Sequence, residues 1–171
     1  RGSVDMEGLP DINETFIILD LKNSRVDFSD FAFAINKNAM GRLTPMGNVI
    51  MSGQFLGYTN DFVAKGDFSG PLGAITSDIN FKVNEKNFDL SEYSGELVMR
   101  NFDLGQYLKD TINFQQVNLA GKIKGAGLTF QSGDFTLNGK VSSIGIRDYD
   151  YTNIETNARF AKELFNGHIK I

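Results

Sequence analysis

The stretch VNLAGKIKG, residues 117–125, decides the fold. Val117, Leu119, Gly121 and Ile123 alternate with Asn118, Ala120, Lys122 and Lys124. A period of two marks a β-strand with one apolar and one wet face. The glycine at its centre is the oddity. It adds backbone entropy to be lost on folding and brings no side chain to pack. Yet MSGQFLG (51–57), AKGDFSG (64–70), YSGELVM (93–99), LNGKVS (137–142) and FNGHIKI (165–171) repeat the arrangement. The glycine falls on the apolar face: Gly53 with Val49, Met51 and Phe55, and Gly139 with Leu137 and Val141. Glycine permits sharp coiling of a sheet, with a large neighbour such as Phe55 or Phe135 covering the gap. A line of glycines also leaves space over an apolar floor. A sheet curled lengthwise would then hold an apolar trough, and the two readings are compatible.

The same alternation runs through 75–83, 93–99, 135–141 and 165–171, as expected of antiparallel strands with one solvated face. Helical signal is scant. FDLGQYLKD (102–110) places Leu104, Tyr107 and Leu108 on one helical face, with Asp103 as its N-cap. DFSDFAFAI (27–35) fits a helix and a strand equally well.

The two halves of the chain match in order. NVIMSGQFLG (48–57) resembles QVNLAGKIKG (116–125), and DFVAKGDF (61–68) resembles DFTLNGKV (134–141). AITSDINF (74–81) pairs with NIETNARF (153–160), YSGELVM (93–99) with the closing LFNGHIKI, and the aspartate of LKNSRVDFSDF with that of VMRNFDLGQYL. The offsets drift between 68 and 79. The expectation is a tandem repeat, one unit over 4–100 and a second over 101–171, stacked side by side.

Composition narrows the function. The 171 residues carry a net charge of −4, with 22% charged residues and no basic stripe, which argues against a nucleic-acid partner. There is no Cys, so disulfide scaffolds and cysteine metal sites are excluded. With 18 Gly, 15 Phe and 3 Pro, the chain has the profile of a turn-rich β protein. Its apolar runs, FIIL (16–19) and FAFAI (31–35), fall far short of the roughly 20 residues of a membrane-spanning helix. Arg1-Gly2-Ser3 reads as a vector-derived scar and is set aside. The sequence ends mid-strand at Ile171, as a piece of a longer repeat protein would.

NFDLGQYLKD, then VNLAGKIKGAGLTF, then DFTLNGKVSSIGIRDYDYTNIETNARFAKELFNGHIKI follow one another across the second half. This succession resembles the TamB (translocation and assembly module) family of large AsmA-like bacterial proteins, in its Bacteroidetes type. The resemblance covers most of residues 20–171. It implies an all-β fold, an elongated antiparallel sheet curled lengthwise around a hydrophobic groove (a β-taco), with one or two short helices. It also implies a periplasmic segment of an inner-membrane-anchored envelope protein, contacting membranes only through parts outside this stretch. Phospholipid, and an outer-membrane barrel of the assembly-factor type, are the implied partners.

Catalytic and metal chemistry find little support in the residues. His168 is the only histidine, and alternation puts it on a wet face beside Asn166 and Lys170. A Ser–His–Asp triad would need it, and no nucleophile elbow is present. One His and no Cys make zinc improbable. Asp27 with Asp30, and Asp148 with Asp150, lack the rest of a calcium loop and read as turn and surface carboxylates. GKIKGAGLTF contains G-x-G but opens no helix, so it is not a phosphate loop. Lys122, Lys124 and Lys140 form a small basic row on a wet face, suited to solubility or to lipid headgroups.

The expected function is non-enzymatic and needs no cofactor: an envelope bridge that shields acyl chains in its groove. The candidate groove residues are Met51, Phe55, Phe62, Phe68, Ile79, Phe81, Val117, Leu119, Ile123, Phe135, Leu137 and Val141. The rival is a scaffold whose apolar face closes on itself and whose sheet edge recruits a strand of a barrel or client protein. A carbohydrate-active β-solenoid enzyme would need a clustered carboxylate site, and none stands out.

Overall fold

The computed structural model describes residues 1–27, 29, 40–41, 43–161 and 164–170. Among the described residues ten strands follow one another: β1 (Gly2–Glu7), β2 (Phe16–Asp27), β3 (Asn48–Gly57), β4 (Asp61–Gly70), β5 (Gly73–Lys82), β6 (Glu92–Asp103), β7 (Phe114–Ala126), β8 (Asp134–Ile146), β9 (Tyr149–Ala161) and β10 (Leu164–Lys170). They form one sheet whose spatial order is the order of the chain. Every neighbouring pair is antiparallel, and β1 and β10 remain edges, so the sheet is not closed. One short helix, α1 (Leu104–Leu108), follows β6, and 3-10 turns occupy Thr44–Met46 and Phe88–Leu90. The ambiguous element at 27–35 lies almost wholly outside the described residues.

The alternating strands form as their pattern dictates, and the helix begins where expected. The Asp103 carboxylate accepts hydrogen bonds from the Gln106 backbone N–H and its side-chain amide, both at 2.8 Å. That satisfies a first-turn donor the helix cannot serve itself. β2 and β6 are built alike. Each has twelve residues, a register shift near its end, and an asparagine in the left-handed conformation there: Asn23 at φ 45° and Asn101 at φ 47°. Asparagine tolerates that conformation better than other side chains do.

Gly2 and Ser3, set aside above, pair with Leu21 and Asp20 at the start of β1. Residues 100 and 101 lie inside β6, at its bulge, and the sheet runs through them without a break. The boundary between the two repeat units at 100/101 thus falls within one continuous strand ladder.

The strands are bent lengthwise. Straight, the 13 residues of β7 would span about 40 Å. Phe130 lies in the loop beyond the far end of that strand. Its ring nevertheless sits 5.1 Å from the ring of Phe114, at the near end. Only a sheet folded over on itself brings those ends together. One rim carries the β3–β4, β5–β6 and β7–β8 connections, and the other carries α1 and the β4–β5 and β8–β9 turns.

The glycines sit on the crease. Gly53 pairs with Gly66, Gly66 with Ser77, Ser77 with Leu97, Leu97 with Gly121, Gly121 with Gly139 and Gly139 with Thr156. A Cβ built on Gly53 would lie 2.6 Å from the Gly66 Cα, and one on Gly121 only 2.9 Å from the Gly139 Cα. Bending crowds the inner side of the pleat. Glycine facing glycine is the arrangement that leaves neighbouring backbones room to close.

Candidate functional site

The inner face of the bent sheet is the candidate site. Register places all twelve candidate groove residues on it. Met51 faces Phe68, Phe68 faces Ile75, Ile75 faces Met99, Met99 faces Leu119 and Leu119 faces Val141. On the other side of the crease, Phe55 faces Ala64, Ala64 faces Ile79, and Ile123 faces Leu137. One row further out, Phe62 faces Phe81, Phe81 faces Tyr93, and Phe135 faces Phe160. Among the described residues these inner rows hold no charged side chain.

The twelve differ in how far they are covered. Val117, Leu137 and Val141 are buried, and with Leu72 and Phe102 they form a packed core. Leu119, Phe135, Met99 and the α1 side chains Leu104 and Tyr107 pack against that core. A guest could reach these three only by displacing their neighbours. Met51, Phe55, Phe62, Phe68, Ile79, Phe81, Leu119, Ile123 and Phe135 are half-buried. A ladder of rings, Phe55–Phe62–Phe81–Phe88, runs along one rim with centroids 4.5, 5.4 and 6.0 Å apart.

Over β6–β8 the trough is roofed. Phe130 reaches Phe114 across it. Tyr93, near one rim, has its hydroxyl pushed well above the usual tyrosine range, first by burial and then by the neighbouring Tyr107 from the opposite rim. The same hydroxyl donates to the Gly127 carbonyl at 3.0 Å. Sequence reasoning placed Tyr107 on a helical face but not over the trough, and did not single out Phe130, because both roles depend on connections reaching over the sheet. It also passed over the aromatic pair Tyr149 and Tyr151, although their period-two spacing was visible.

The outer face is polar and of mixed sign. Lys65 pairs with Asp78 at 2.7 Å, Arg159 with Asp134 at 2.6 Å and Lys122 with Glu96 at 3.7 Å, all at exposed positions. Lys124, Lys122 and Lys140 stand on three consecutive rungs of this face, opposite Thr136, Asn138 and Ala120, and Glu96 pairs with Lys122 at one side. His168 and Lys170 are exposed there too. Asp27 accepts from Ser29, while Asp148 and Asp150 lie exposed at the β8–β9 turn. Among the described residues no three His, Cys, Asp or Glu side chains gather where they could hold a metal ion. No described helix is long and apolar enough to cross a membrane.

Compared with family models, curated proteins and solved structures, the chain matches none.

Proposed function

We propose that this chain is a non-catalytic, lipid-shielding segment of a bacterial envelope bridge, with acyl chains lying along the inner face of the bent sheet. The observation that carries this reading is the uncharged inner face, which runs across the sheet while the outer face holds the ion pairs. Each methylene taken from water onto such a surface gains about 0.8 kcal/mol. Nothing in the segment consumes energy, so the direction of lipid movement would be imposed elsewhere. Within the trough, the half-buried rings of Phe55, Phe62 and Phe81 are the best seat for a guest, since the β7–β8 half is filled by its own side chains.

The rival is a scaffold that presents a sheet edge to a barrel or client protein. One feature favours it: edge strand β1 leaves Val4 and Met6 57% and 42% exposed on the inner face. A photo-crosslinking residue at Phe62, and separately at outward-facing Lys65, placed in the protein in living cells, separates the two. Lipid captured at Phe62 and not at Lys65 supports the conduit. Lipid captured at neither position, nor at Leu119, leaves the scaffold.

A further inference from the structure

At the roofed end, a cleft of about 670 Å³ opens between the β7–β8 loop and the β8–β9 turn. We propose that it binds the zwitterionic phosphate headgroup of an amphiphile, with Arg147 taking the phosphate, Asp148 the ammonium, and Tyr149 and Tyr151 flanking them. The proposal rests on the reading of the trough as an acyl-chain path.

The cleft is built from two aromatic pairs. Phe114 and Phe130 meet at 5.1 Å across the rims, and Tyr149 and Tyr151 meet edge-on at 4.7 Å. Phe130, Tyr149 and Tyr151 are 42%, 65% and 38% exposed, an unusual amount of ring surface to leave in water at one place. Phe114 and Ile146 form the last rung of the β7–β8 ladder beyond Val117 and Ile144, so the floor of the cleft is the outer end of the packed core and offers apolar surface of its own. An occupant that covers these rings and reaches the charged mouth has an apolar tail and a polar head.

The polar mouth carries one charge of each sign. Arg147 is held in place from behind. Its backbone N–H donates to the Asn113 carbonyl at 2.9 Å, and its Nε leans on Asn113 Oδ1 at 3.4 Å. The Asn113 amide in turn donates to both oxygens of Asp110, at 3.1 and 2.9 Å. That leaves the terminal guanidinium nitrogens to the cleft, and their fork suits phosphate oxygens. Asp148 adjoins Arg147 in the chain and lines the same cleft as the two tyrosines. A carboxylate and aromatic rings together attract an ammonium group. A purely anionic head would meet repulsion from Asp148, and an uncharged head would use neither group.

The test titrates the purified chain with dihexanoyl phosphatidylethanolamine below its micelle concentration. Parallel titrations use dihexanoyl phosphatidylglycerol, octyl glucoside and chain-free phosphoethanolamine. Tyrosine emission reports binding directly, since the chain has 5 Tyr and no Trp. The zwitterionic lipid should bind at least about fivefold more tightly than the anionic one, and Arg147→Gln should cost about fivefold. Asp148→Asn should erase the preference for the zwitterion, and Lys140→Gln, on the outer face, should change nothing. Equal affinity for the two lipids, or an unchanged affinity in Arg147→Gln while Phe62→Ala weakens binding, overturns the headgroup site and leaves the trough reading intact. Phosphoethanolamine binding as tightly as the lipid overturns the amphiphile in favour of a soluble phosphate ester. Failure of every probe to bind overturns both.

Discussion

In β3 and β4 the bend rests on Gly53 facing Gly66; in β7 and β8 it rests on Gly121 facing Gly139. The crease is the same, but what fills it differs. Around the second pair, Phe102, Val117, Leu137 and Val141 are buried in a packed core that α1 caps from the rim. Around the first, Phe55, Phe62, Phe68 and Phe81 stay half-buried, with Val49 buried at the foot of β3. Bending a sheet and filling it are thus separable. The backbone geometry is set by glycine against glycine. Among the described residues, the second half is filled by its own side chains and by α1, while the first keeps its rings half-buried.

The sharpest way to break this comparison is to truncate one ring in each half. Phe102, 3% exposed inside the core, should cost about 3–5 kcal/mol as Phe102→Ala. Phe62→Ala, from a half-buried ring, should cost no more than about half of that. Urea unfolding at neutral pH measures both, and equal losses would mean that the first half is packed as tightly as the second. Next in size comes the crease itself. Gly139→Val drives a branched side chain into the Ala120 carbonyl and the Gly121 backbone and should cost about 3 kcal/mol. Gly53→Val should cost the same, because the clash is the same. Gly41→Ala, with open space around its Cβ position, is the control and should be near neutral. A Gly139→Val protein with an unshifted midpoint would show that the close approach does not constrain the fold.

Much of this architecture was legible from the residues, because period-two alternation is local. VNLAGKIKG already shows which way Leu119 and Lys122 point, and Asp103 announces the helix it caps. The apolar side of each glycine was legible for the same reason. That Gly121 stands opposite Gly139 was not, since facing depends on register. Register is set by turns and by bulges at Ser142 and around Asn101, which no alternation encodes. The left-handed asparagines left a faint signal, KNS and RNF, each breaking the period near a strand end. The roof was out of reach. Phe130 and Tyr107 lie in connections, and only the bend carries them across to Phe114 and Tyr93.

The crease also contains a misfit that sharpens the comparison on a finer scale. Thr156 faces Gly139, and its hydroxyl is buried without a hydrogen-bond partner. Ser77 occupies the matching row in the first half and donates to the Ala64 carbonyl at 2.8 Å. An unanswered buried hydroxyl costs about 1–3 kcal/mol, whereas a satisfied one contributes. Thr156→Val keeps the shape and removes the orphan, so it should stabilise the protein by about 1 kcal/mol. Ser77→Ala should destabilise it slightly. Opposite signs in the two halves are the expected result of thermal unfolding, and a destabilised Thr156→Val would mean that its hydroxyl has a partner in solution.

The smallest effects lie in the two carboxylates that anchor the connections. Asp27, closing β2, is held below the usual aspartate range by the Ser29 hydroxyl and backbone N–H. Asp110, after α1, is held below it by the Asn113 side chain and backbone. A carboxylate whose folded value is depressed adds stability that is complete above its unfolded value, about 3.9. That stability drains away as pH falls from there through the lower, folded value. Both groups are exposed, so solvent screens each contribution. The acid limb of the stability curve should therefore flatten in two independent steps. Ser29→Ala should reduce the part due to Asp27, and Asn113→Ala the part due to Asp110, since each removes the side-chain bond and leaves the backbone one, without changing the slope above pH about 5. The two variants should add, since the groups sit in different halves of the sheet. Asn113→Ala should also free the Arg147 side chain, while Ser29→Ala should not. A loss of lipid-probe affinity in Asn113→Ala alone would tie the acid-sensitive anchor of the second half to its cleft. Equal losses in both would mean that the halves communicate through the ladder between them.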